Sequence, residues 1–93
     1  MKYMEIISLR TSAPFEKKAR GYMKKICLIV KKYNLSQAHF CVHDSIPGDL
    51  AIVIISQSDD GKVRGTEVGI YITEVLKQFG LVDYNCWLME GHA

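Results

Sequence analysis

Residues 38 to 56 read AHFCVHDSIPGDLAIVIIS, and this stretch decides the fold. Its first part, Ala38 to Asp44, sets Phe40 and Val42 against His39, Cys41 and His43, the period of two expected of a strand with one buried face. Ser45-Ile46-Pro47-Gly48-Asp49 carries the Pro-Gly pair of a tight turn. Behind it Leu50 to Ser56 is apolar in both alternating sets, Leu50, Ile52, Ile54 and Ala51, Val53, Ile55, so this strand needs cover on both faces. Two such strands across a short turn form an antiparallel hairpin whose second member lies inside a sheet.

Working outward, Tyr3 to Arg10 (YMEIISLR) reads as another strand, followed by Thr11-Ser12-Ala13-Pro14, in which Ser12 suits a helix cap and Pro14 a first turn. From Phe15 to Tyr33 the residues Phe15, Ala19, Tyr22, Met23, Ile26, Ile29, Val30 and Tyr33 recur at three- and four-residue intervals and predict an amphipathic helix. Lys17, Lys24, Lys31 and Lys18, Lys25, Lys32 recur every seven residues, giving two basic rows on its opposite face. Asn34-Leu35-Ser36-Gln37 breaks that pattern, and the polar Gln57 to Gly65, centred on Asp60-Gly61, separates the hairpin from the C-terminal third of the chain. Thr66 is the expected N-cap of a second helix marked by Val68, Ile72, Val75, Leu76 and Phe79 and closed by Gly80. Leu81 to Glu90 (LVDYNCWLME) alternates again as a last strand before the tail Gly91-His92-Ala93.

The order β-α-β-β-α-β predicts an α+β, ferredoxin-like domain: a four-stranded antiparallel sheet with two helices on one face. Right-handed crossovers make the first and third strands central. Length agrees, since 93 residues, 48% hydrophobic and 24% charged, describe one globular domain over residues 1–93. Charge is unevenly shared, with nine basic and three acidic residues in 1–46 against three and seven in 47–93. There is no apolar run of membrane-spanning length and no signal-peptide pattern, so a cytoplasmic protein without membrane contact is expected. The three cysteines, Cys27, Cys41 and Cys86, lack CxxC spacing and are read as reduced thiols.

What covers the second sheet face is the informative question. Placing Met4, Ile6, Phe40, Val42, Val82, Tyr84 and Leu88 toward the helices leaves Glu5, Ile7, Leu9, His39, Cys41, His43, Val53, Ile55, Asp83, Asn85, Trp87 and Met89 on the open side. So contiguous an apolar area marks an interface or a ligand cavity. A homodimer is expected, burying Ile7, Leu9, Val53 or Ile55.

Chemistry is fainter. His39, Cys41 and His43 form H-x-C-x-H on one strand face, but the outer two lie roughly 13 Å apart on a regular strand and the ligand set is incomplete, so no metal is expected. Cys41 beside His43 is the minimum for an activated thiol, yet the sequence has neither an identifiable oxyanion donor nor a glycine-rich turn, and no catalytic residue is assigned. The βαββαβ order also occurs in RNA-recognition modules, which stack bases on central-strand aromatics. Strand three has none here, so nucleic acid is not an expected partner and the lysine rows are a solvated face. Trp87 lies with Asp83 and Asn85, an aromatic among polar groups. A ligand site, if built on the open side, would draw on His43, Cys41, Asn85 and Trp87; the competing account is that all four are packing or rim residues.

The strand–helix–strand opening, the hairpin quoted above and the closing helix and strand resemble the dimeric α+β barrel superfamily, which includes antibiotic-biosynthesis-monooxygenase-like and stress-responsive barrel proteins. The resemblance spans nearly the whole chain and is one of topology and pattern. It implies two sheets paired face to face, a pocket between sheet and helices, and, for some members, cofactor-free oxidation of polyketide-like substrates. Haem-degrading members use an Asn, Trp and His constellation, which Asn85 and Trp87 do not match, so no catalytic residue carries over. The expectation is a dimeric protein binding a small apolar or aromatic molecule, with cofactor-independent oxygenation of an aromatic or quinone-like substrate as its reaction. The alternative is a non-catalytic regulatory or assembly module whose sheet face is only an interface.

Overall fold

The computed structural model describes residues 2–33, 37–57 and 66–90. The expected breaks at Asn34-Leu35-Ser36 and around Asp60-Gly61, and the tail Gly91-His92-Ala93, lie outside them. In chain order the elements are β1 (Lys2–Thr11), α1 (Ala13–Tyr33), β2 (Gln37–Val42), β3 (Asp49–Gln57), α2 (Glu67–Leu76), a 3₁₀ turn (Lys77–Phe79) and β4 (Gly80–Met89). They form the ferredoxin-like arrangement expected, one antiparallel sheet in the order β2-β3-β1-β4.

The helices cover one face of the sheet. Residues directly opposed across an antiparallel pair share a face, so Phe40, Ile52, Ile7 and Tyr84 make one row beneath the helices, and Val42, Leu50, Leu9 and Val82 the next. Against these rows pack Ala19, Met23, Cys27 and Val30 of α1, Ile72 and Leu76 of α2, and Phe79. Here the expectation for β1 is overturned: Glu5, Ile7 and Leu9 point to the helices and are buried, while Met4, Ile6 and Ser8 lie on the open face. Both alternating sets of β1 are apolar, so alternation alone fixes no face, and Glu5 is buried because donors from α2 and β4 await it. On α1, Cys27 takes a core position, whereas Phe15 and Ile29 are exposed. The six lysines of its outer rows are exposed as expected.

Helix starts and strand ends follow local chemistry. The Ser12 carbonyl accepts the first α1 amides, from Phe15 and Glu16, with Pro14 in the first turn where no N–H is missed. Thr66 caps α2, its hydroxyl accepting from the Gly69 amide at 2.9 Å. β2 ends at Val42, two residues before the expected Asp44, because His43 and Asp44 enter the turn. That turn needs Gly48, whose φ of 84° and close approach to the Thr11 carbonyl exclude a side chain. Thr11 fastens the hairpin turn and the return into β4: its amide donates to the Gly48 carbonyl at 2.9 Å and its hydroxyl to the Phe79 carbonyl at 2.7 Å.

Candidate functional site

The open face is read most easily as four rows across β2, β3, β1 and β4. They run His43–Asp49–Arg10–Leu81, Cys41–Ala51–Ser8–Asp83, His39–Val53–Ile6–Asn85, and Gln37–Ile55–Met4–Trp87. The middle of the face is apolar, with Met4, Ile6, Val53 and Ile55 only half-buried and Trp87 56% exposed at the β4 edge.

At the Arg10 end the first two rows form a groove of about 550 Å³. Ser8, Arg10, Cys41, His43, Asp49, Ala51, Leu81 and Asp83 line it, together with the interleaved Leu9, Val42, Leu50 and Val82. The side chains that face it from the open side are mostly polar, Ser8, Arg10, Cys41, His43, Asp49 and Asp83, with Ala51 and Leu81 as the apolar ones. Leu81, 77% exposed, stands at its β4 side.

Two of the four sequence-derived site residues, Cys41 and His43, line this groove, and Asn85 and Trp87 do not. Asn85 reaches its edge indirectly, donating through Nδ2 to Asp83 Oδ2 at 2.9 Å. Trp87 lies two rows further on the opposite edge strand; with strands about 4.8 Å apart, three strand spacings separate it from β2. Within one protomer the four residues therefore do not converge.

The polar groups of the groove are already partly committed. Arg10 grips Asp49 with Nε to Oδ1 at 3.0 Å and Nη2 to Oδ2 at 3.2 Å, a bidentate pair joining β1 to the start of β3. The Arg10 hydrogen bonds, helped by its charge, hold the Asp49 carboxyl below the usual carboxylate range against some desolvation. A depressed folded-state pKa gives stability that is present above the ordinary carboxylate value, about 3.9, and lost as pH falls through the folded value. The difference in melting temperature between wild type and Arg10→Gln should thus be full at pH 7 and shrink below pH ~4. A difference that stays constant down to pH ~2 would show that the pair is not its source. Among the described residues no group of three or more His, Cys, Asp or Glu side chains is placed to hold a metal ion.

A second polar cluster lies on the helix side, at positions the sequence pattern does not mark. Glu5, 1% exposed, accepts from the Thr66 amide at 3.0 Å, from the Thr66 hydroxyl at 3.0 Å, and from the Tyr84 hydroxyl at 2.5 Å. Because the Thr66 hydroxyl also accepts from Gly69, it passes its own proton on to Glu5 and extends the helix cap by one carboxyl group. The N-terminal end of α2 favours a negative charge there. Gly69 is needed for this approach, since a Cβ would sit 2.0 Å from Glu5 Oε2. Burial, then the hydrogen bond and charge of Glu5, push the Tyr84 phenol well above its ordinary value. Two residues along β1 the Tyr3 hydroxyl is buried with no hydrogen-bond partner among the described residues. A lone Glu in an apolar strand, with a capping Thr and a small residue three positions later, is the available signal.

No family model matches the sequence, and no curated protein is a significant match. Solved structures do match. A Mycobacterium tuberculosis protein superposes with a TM-score of 0.75 at 9% identity, covering 100% of this chain and 99% of its own. A conserved Bacteroides thetaiotaomicron protein of unknown function, a candidate oxidoreductase, gives 0.73 at 9% identity over 92% and 95% of the two chains. A candidate antibiotic biosynthesis monooxygenase from Deinococcus radiodurans gives 0.71 at 13% identity over 98% and 95%. The fold is antibiotic-biosynthesis-monooxygenase-like. At such identities the likeness is one of fold, and the monooxygenase-like fold leaves substrate and reaction to be argued from the residues. Among the described residues no helix is long and apolar enough to cross a membrane.

Proposed function

We propose that the protein is a cytoplasmic homodimer that packs the open sheet faces of two copies together and binds a small apolar or aromatic molecule in the groove at their Arg10 ends. The observation that carries this reading is the groove itself, continuous with a half-buried apolar strip of Met4, Ile6, Val53 and Ile55. A partner sheet over that strip would also roof the groove and bring the Asn85 and Trp87 edge of one copy toward the His43 and Cys41 edge of the other. The interface residues are thus Ile6 and Met4 with Val53 and Ile55, in place of the Ile7 and Leu9 expected from sequence.

Cofactor-independent oxygenation of an electron-rich aromatic is the reaction class that the fold and the groove together favour. In it a ring CH₂ becomes C=O, one atom of dioxygen enters the product and the other leaves as water, and the substrate supplies the electrons. The chain would hold the ring against Ala51, Leu81 and the adjoining Ile6 and Val53 and accept a proton from it. Asp83 has acceptor capacity beyond its contact with Asn85, while Asp49 is held by Arg10.

Val53→Lys tests the assembly. Placing a charge at the centre of the apolar strip should convert a dimer at micromolar concentration into a folded monomer by sedimentation velocity, with unchanged far-UV circular dichroism. Wild-type protein that sediments as a monomer would defeat the dimer. Dioxygen uptake with an anthrone probe tests the chemistry, and an intact dimer showing neither uptake nor probe binding would favour the assembly module instead.

A further inference from the structure

The β2–β3 turn settles how one groove residue is used. His43 Nδ1 lies 3.1 Å from the Ser45 amide and 3.0 Å from the Ile46 amide, and both N–H groups donate to it. A nitrogen accepting two backbone donors carries no proton, so the ring proton resides on Nε2, an assignment made from the hydrogen-bond network. The competing arrangement would place a proton on Nδ1 and direct it to Asp44 Oδ1 at 3.3 Å. It would set that proton against two amide protons at shorter range, while Asp44 is highly exposed and already accepts from the Ser45 hydroxyl. Two short bonds outweigh one longer, solvent-screened contact.

We infer that His43 serves the groove as a fixed hydrogen-bond donor through Nε2–H, not as a base, and that the ligand class is an apolar ring bearing a neutral carbonyl oxygen. This rests on the proposed ligand site and names its specificity. A ring whose acceptor edge is spent on the turn offers the groove only its donor edge. A neutral oxygen fits better than an anion, because Arg10 is already neutralised by Asp49 and the groove also holds Asp83. A hydrocarbon ring without an oxygen would leave the imidazole N–H desolvated and unpaired.

The test has two independent arms on the intact protein. Long-range ¹H–¹⁵N spectra of the imidazole rings should show His43 as the Nε2–H tautomer, and a proton on Nδ1 would overturn the inference. Amide-detected titrations with tetralin, 1-tetralone and tetralin-1-carboxylate should show 1-tetralone binding about tenfold more tightly than tetralin, the size of one net hydrogen bond, and more tightly than the carboxylate. His43→Asn places an amide oxygen where Nδ1 accepts and so retains the turn, while its shorter amide group leaves no donor at the position of Nε2. It should keep the wild-type melting temperature and lose the tenfold preference, whereas His43→Ala should lose both. Equal binding of tetralin and 1-tetralone at the groove amides would leave the ligand site standing and overturn the donor role. Tightest binding of the carboxylate would overturn the choice of a neutral carbonyl, and failure of all three probes to shift groove amides would overturn the site and the inference together.

Discussion

Ile7→Asp is expected to leave no folded protein, while Ile6→Lys, one position away on the same strand, leaves the protomer folded. Ile7 is fully buried between Ile52 and Tyr84 beneath the helices. Removing it forfeits about 1.5–3 kcal/mol of apolar burial, and an unpaired buried carboxylate adds several more, which together approach the roughly 5–15 kcal/mol that holds a small domain folded. Ile6 is half-buried on the open face opposite Val53 and Asn85, so a lysine there can extend into solvent. Circular dichroism with thermal melts decides the matter, and the reverse pattern would invert the face assignment of β1.

The second large effect is at Glu5. Glu5→Ala should cost about 3 kcal/mol in denaturant unfolding, because it strands the Thr66 amide, the Thr66 hydroxyl and the Tyr84 hydroxyl at once in a partly buried place. Tyr84→Phe should cost about 1 kcal/mol, since Thr66 still donates to the carboxyl group. The loss in Glu5→Ala should be concentrated at the start of α2, where hydrogen exchange at Gly69 and Ile70 should quicken before that of β3. Glu5→Ala and Tyr84→Phe variants of equal stability would show that the carboxyl group does not organise the helix start.

The hairpin, the two amphipathic helices and the strand order are legible in the sequence because each rests on a local period or a topological rule. The face of β1 is not, since Met4-Ile6 and Ile7-Leu9 are equally apolar and the charged residue between them, Glu5, points to the helices. What buries Glu5 is a cap 61 residues later and a phenol 79 residues later, contacts that leave no periodic trace. For the site, strand alternation suffices to put Cys41 and His43 on the open side. The same alternation puts Asp83 there, whereas Arg10 and Asp49 carry no such mark as groove residues, for they meet only when β1 and β3 pair. Trp87 stands out as the sole tryptophan, although its row lies away from the groove.

The order β2-β3-β1-β4 seats the first strand of the sheet in chain order beside its last. Until Gly80–Met89 has left the ribosome, β1 presents one edge unpaired, and Glu5 waits for the Tyr84 hydroxyl inside a layer that the helices have begun to close. Contacts of such long sequence separation close slowly, and an apolar strand with a free edge is the surface on which nascent chains associate wrongly. Pairing of β4 with β1 thus completes the sheet and closes the edge that β1 would otherwise leave open.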